Sequence, residues 1–196
     1  MRTKLTAAAL VLLVIATSSF KSAALKDDVY KVDTEKSTIT WVGKKFAGSH
    51  NGTIKLKSGN LNFSGKKLIG GGFIMDMASI KDADNSANLE KHLKADDFFG
   101  VATFPAAQFV IKKVATKGAN ATVTGDLTLK GITNSITFDA VVAWNADGTL
   151  TATAEKIIVD RTKYGIKFKS KSSFPEIGDK LIYDEFELSV KLVAKK

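Results

Sequence analysis

Apolar and polar residues alternate one for one along most of this 196-residue chain. That period of two commits it to strands with one dry face and one wet face. Val123, Gly125, Leu127 and Leu129 share one side, while Thr122, Thr124, Asp126, Thr128 and Lys130 share the other. After Gly131–Asn134 the pattern resumes, with Ile136, Phe138, Ala140, Val142 and Trp144 opposed to Ser135, Thr137 and Asp139. So short a connection makes the two segments an antiparallel hairpin. Asn145–Gly148 reads as the next turn and Thr149–Val159 as the next strand. A last strand sets Phe186, Leu188, Val190 and Leu192 against Glu187, Ser189 and Lys191.

The first half behaves alike. Ile39 and Trp41 lie between Thr38, Thr40 and Val42, Ile54 and Leu56 between Thr53, Lys55 and Lys57, and Leu61 and Phe63 between Asn60, Asn62 and Ser64. Ser58-Gly59 and Ser64–Lys67 have turn chemistry. Leu68–Ile80 is a further strand with Phe73, Met75 and Met77 on one face, and Gly70-Gly71-Gly72 inside it predicts a bulge or sharp bend. Ala106–Ala115 follows Pro105 as another strand.

One segment departs from the period. Ser86–Asp97 is rich in helix formers, places Leu89 and Leu93 four apart on one face, and has Asn85 or Ser86 to cap it. A short helix is expected there, followed by the apolar tip Phe98-Phe99-Gly100. The expected fold is all-β, an antiparallel meander of about eight strands with one short helix. Closure into a barrel would remove exposed edges and could enclose one small ligand, whereas a sandwich would not. The alternation alone leaves both readings open, and leaves open whether the interior is filled.

The first 24 residues read as a removable leader. Arg2 and Lys4 precede the apolar run Ala7–Ala16, and Ser22, Ala23 and Ala24 supply a small-residue exit. The apolar part is shorter than the roughly 20 residues a bilayer span needs. The expected location is therefore periplasmic or secreted, with residues 25–196 as a single domain. Setting aside Arg2, Lys4 and Lys21 leaves 26 bases against 20 acids, a net charge of +6. Export argues against nucleic acid as a partner, and the lysine excess suits a solvated surface or transient contact with anionic membranes. With no cysteine, neither disulfides nor a cysteine-linked lipid anchor is available.

Several stretches together resemble the YceI-like family of exported polyisoprenoid-binding proteins. They are Ser37–Trp41, Gly48–Ile54, His92–Phe99, Phe104–Phe109, Gly125–Thr133, Asp160-Arg161 and Tyr164–Ile166, in that order. The resemblance implies an elongated lipocalin-like antiparallel β-barrel with a helix over one end. It also implies a long apolar ligand in the lumen (an isoprenoid, a quinone tail or a fatty-acid derivative) held for transport or storage. Homodimers are common among such proteins.

A lipid tail needs apolar area rather than reactive groups. Burial is worth about 0.8 kcal/mol per CH₂, so one isoprene unit gives on the order of 3–4 kcal/mol. The chain supplies twelve Phe, three Met and two Trp. The lumen candidates on alternating apolar faces are Trp41, Phe63, Phe73, Met75, Met77, Phe109, Leu127, Phe138, Val142 and Trp144. Phe98 and Phe99 are expected at the mouth or as anchors of the helix. Arg161 and Tyr164 are the polar candidates; a guanidinium there either meets a ligand headgroup or pairs with Asp160 or another acid. No phosphate loop and no Gly-x-Ser-x-Gly elbow occurs, so no catalytic residue and no cofactor is expected. The alternative is an enzyme acting on an isoprenoid or other lipid, with His50, His92 or Asp96 as acid or base. His92 and Asp96, four apart on a helix, make at most a weak two-ligand metal pair.

Overall fold

The alternation read from the sequence becomes register in space. In a computed structural model that describes residues 27–196, β6 (Asn120–Leu129) lies antiparallel to β7 (Ile132–Trp144). Val123 stands opposite Phe138 on the inner face, and the hydroxyls of Thr124 and Thr137 bond at 2.9 Å on the outer one. Lys130 and Gly131 join the strands in a two-residue turn, both at positive φ (49° and 75°), as such hairpins require. The strand thus restarts at Ile132, earlier than expected. The leader reading falls outside the described residues.

The other strands are β1 (Asp27–Val32), β2 (Thr38–Lys45), β3 (Gly48–Ser64), β4 (Lys67–Asp82), β5 (Ala106–Lys117), β8 (Leu150–Asp160) and β9 (Ile182–Lys195). All neighbours are antiparallel, and the sheet closes because β3 pairs with β4 as well as with β1 and β2. β1 and β2 run in the same direction between β3 and β9, one after the other. They occupy one position of the ring, so nine strands make a closed barrel of eight positions. The break between them is a tight turn. The Asp33 carboxylate accepts the backbone N–H groups of Glu35 and Lys36 (3.2 Å each), and the Ser37 hydroxyl donates to Asp33 O and accepts the Val193 N–H. Side-chain hydrogen bonds thus bridge the interruption between the two strands.

Ser58-Gly59 is not a turn. β3 runs through it, with a register shift between Leu56 and Ser58 that moves the inner face from Ile54 and Leu56 to Leu61 and Phe63. Such a bulge resets parity without ending the strand, and a Cβ on Gly59 would lie 2.6 Å from the Phe73 ring. In β4, Gly71 sits at φ +151°, where a Cβ would meet Asn60 O at 2.4 Å. The register against β3 shifts between Gly70 and Leu68, the irregularity that the three glycines predict.

α1 (Ala87–Lys94) is shorter than the expected Ser86–Asp97. Ser86 caps it, its Oγ accepting the Leu89 N–H at 3.4 Å. Leu93 is buried, and the turn after the helix buries Phe98 and Phe99. Apolar residues point inward around the ring and threonines and charges outward, the inverse of a membrane-spanning barrel, whose outer band is apolar.

Candidate ligand-binding cavity

The two ends of the barrel are built differently. At the end where β3 turns into β4, here the lower end, three rings converge. Tyr30 and Phe63 lie 5.4 Å apart, Tyr30 and Trp144 5.4 Å, and Phe63 and Trp144 5.1 Å, all edge to face. Phe63, Leu150 and Ala194 have no accessible surface there, and Leu68 and Val142 are buried with them. This end is plugged.

Above the plug is a cavity of about 200 Å³. Its walls include Trp41, Phe73, Met75, Met77, Phe109, Leu127 and Phe138, with Phe98, Phe99 and Arg161 toward the upper end. Phe73 and Phe109 stack with centroids 6.4 Å apart, and Phe138 lies 5.5 Å from Phe109. Small residues leave the space: Ala107, Ala140, Ala152 and Ala154 all face it. An apolar cavity of roughly 150 Å³ stays dry and admits benzene, so this one has room for part of a hydrocarbon chain. The exposed residues on its wall are Lys44, Tyr183 and Glu185, at the upper ends of β2 and β9. There the β2–β9 register shifts between Gly43 and Lys45. The exposed part of the cavity wall lies at this seam.

Four candidates are not on the cavity wall. Phe63 and Trp144 belong to the plug, and Val142 packs in the core beneath the cavity. Tyr164 is buried under the 3-10 turn that follows β8, its hydroxyl without a partner among the described residues. Burial, helped by the charge of Asp160, pushes that phenol up to about 12. The wall also has residues that were not candidates: the four alanines, the mouth side chains, and Phe186, Leu188 and Val190 of β9. The alternation of β9 marked these last three as inward.

Arg161 is 2% exposed and fully engaged by its neighbours. Nε donates to Tyr183 O (3.1 Å), Nη1 to Ile166 O (2.9 Å) and Nη2 to Ile182 O (2.9 Å). Asp184 Oδ1 stands 3.7 Å from Nη2, and the Phe98 ring 5.7 Å from the guanidinium carbon. Burial pulls its pKa below the ordinary value, against the pull of Asp184 and Asp160. The guanidinium therefore ties the start of β9 to the turn after β8 and faces the acid Asp184, while remaining on the cavity wall. His50, His92 and Asp96 are not among the cavity residues. His92 Nε2 meets Asp97 Oδ2 at 3.1 Å, and its ring stands edge-on to Phe168 at 4.5 Å. The carboxylate beside the His92 ring is thus that of Asp97 rather than Asp96, and Asp96 accepts Lys130 Nζ at its backbone carbonyl.

A closed eight-position antiparallel barrel, plugged below and hollow above with a helix at the open end, defines a lipocalin-like barrel. Comparison with known proteins narrows the class. The chain belongs to the YceI-like family: the model of the YceI-like domain matches residues 30–194. It is 30% identical over 174 residues to a UPF0312 protein of Pseudomonas fluorescens, covering 84% of this chain and 90% of that one. A UPF0312 protein of Shewanella denitrificans is 39% identical over 83 residues, where the chain spans only 44% of the relative's length. Among solved structures, BcnA of Burkholderia cenocepacia is similar with a TM-score of 0.71 at 26% identity, over 84% of this chain and 99% of that one. A polyisoprenoid binding domain from Saccharophagus degradans shares the fold, with a TM-score of 0.66 at 15% identity over 85% of this chain and 97% of that one.

Proposed function

We propose that this protein is an exported binder that draws the tail of one long apolar molecule into its barrel, for transport or storage. The molecule is an isoprenoid, a quinone tail or a fatty-acid derivative. The observation that carries this reading is the polarity of the cavity wall. Apart from Thr153, its polar side chains are Lys44, Arg161, Tyr183 and Glu185, all at the upper end. A tail lies below, among alanines, methionines and aromatic rings, and a headgroup stays at the seam with Lys44 and Glu185. Each CH₂ that enters contributes about 0.8 kcal/mol. The polyisoprenoid-binding description of the Saccharophagus relative supports the same class of ligand.

The rim suits loading from a bilayer. Phe46, Phe174 and Tyr183 stand exposed at this end, among Lys44, Lys45, Lys167 and Lys171. Basic side chains approach anionic headgroups while exposed rings enter the interface.

Native mass spectrometry of protein purified from the envelope of its own host, followed by organic extraction, tests the reading. One bound apolar chain per barrel is expected, and Ala140→Trp, which fills the cavity, should remove it. Protein that is repeatedly empty and takes up no polyprenol from vesicles defeats the proposal.

A further inference from the structure

A second cluster lies outside the cavity, where β3 begins and β4 ends. His50 of β3 points its Nδ1 at Oδ1 of Asp82, the last residue of β4, across 3.7 Å. That is too long for a hydrogen bond. Asp84, in the turn that follows, brings a third ligand atom, and the three lie within 4.8 Å of one another. Asp82 is only 3% exposed. Among the described residues, neither its Oδ1 nor His50 Nδ1 has a hydrogen-bond partner, though both atoms are buried. A buried carboxylate oxygen left unpaired is costly, and two such atoms aimed at each other indicate that something belongs between them.

We propose that His50, Asp82 and Asp84 bind a divalent transition-metal cation such as zinc, with solvent completing the coordination. One imidazole nitrogen and two carboxylate oxygens are a donor set that such ions accept. Bonds of about 2.1 Å at a tetrahedral angle put two ligand atoms roughly 3.4 Å apart, close to the His50–Asp82 separation. Asp84 is exposed and free to close the remaining distance by rotation.

The surroundings hold the buried ligand in place. The other oxygen of Asp82, Oδ2, accepts the Ser86 N–H at 3.1 Å, and the Asp82 N–H donates to Glu90 Oε1 at 3.2 Å. Outer partners of this kind orient a ligand before the ion arrives. Gly52 keeps the strands close, since a Cβ there would lie 1.8 Å from Lys81 O. The ion would clamp β3 to the connection that leads into Ser86, the cap of α1. It would thereby brace the helix that carries Leu93 to the cavity.

Calorimetric titration of tag-free, chelator-stripped protein with zinc chloride in a non-coordinating buffer tests the site. One zinc per chain is expected, with a rise in melting temperature that chelator reverses. H50A and D82N should each weaken binding more than 100-fold, beyond what loss of an outer partner alone costs. D84N, on the exposed ligand, keeps the fold and should weaken it about tenfold. H92A should leave affinity unchanged. No saturable heat with the native chain, or zinc affinity that survives both H50A and D84N, overturns the proposal.

Discussion

The lower and upper ends of this barrel are made from the same alternating strands and differ in what the inward side chains add up to. Below, Tyr30, Phe63 and Trp144 meet edge to face and leave no room. Above them, alanines from β5, β7 and β8 face one another and leave a cavity. Periodicity therefore decides which side of a strand is dry, and residue size at each height decides whether the dry side is solid or hollow. Stability resides in the solid part, and capacity for a guest in the other.

This contrast can be broken by substitution. Phe63→Ala should have the largest effect, a loss of about 3–5 kcal/mol in chemical denaturation, with uptake of an apolar probe unchanged. If uptake falls in step with stability, the plug and the cavity are not separate. Arg161→Met strands three backbone carbonyls at the upper end and should cost about 3 kcal/mol. It should also speed ligand exchange measured by stopped-flow. The sharpest comparison pairs two alanines. Ala194→Leu, in the plugged end, should lose about 1–3 kcal/mol through overpacking, whereas Ala152→Leu, on the cavity wall, should stay within about 1 kcal/mol of the parent while reducing ligand capacity. Equal penalties would mean that the upper part is as tightly filled as the lower.

The smallest effect is expected at Tyr164. Its hydroxyl is buried without a partner, so Tyr164→Phe should change stability at pH 7 by less than about 1 kcal/mol. The difference appears in alkali. The phenol is pushed from 10.0 up to about 12 in the folded chain. Below pH 10 both states hold the proton. Between pH 10 and 12 the unfolded chain releases it first, so stability falls as pH rises. The Phe variant should lack this component, seen as a shallower loss of the denaturation midpoint over that range.

β6 and β7 were legible because nothing interrupts their parity: they pair residue for residue. β3 was not, since the bulge after Leu56 resets the period and Gly59 has the chemistry of a turn while serving the Phe73 ring. Most cavity residues could be named from their face alone. Phe63 and Trp144 were named on the same grounds, but their height along the axis depends on long-range closure, with Tyr30 arriving from β1. The alanines gave no local signal, because a small inward residue is ordinary in any strand. Helical spacing suggested His92 with Asp96, yet α1 ends at Lys94 and the next carboxylate on reaches the ring. His50, Asp82 and Asp84 are brought together only by the β3–β4 register.

The shared position of β1 and β2 has a consequence for how the molecule comes into being. The bottom seam is stitched by both extremities of the domain: Val32 pairs with Ala194, Lys31 with Lys195, and Lys196 forms an ion pair with Asp28 at 2.7 Å. The floor of the vessel therefore cannot be laid until β9 has met β1, the strand farthest from it along the barrel's sequence. Without that pairing the barrel is a bucket without a base, and deleting either partner segment should leave it leaking.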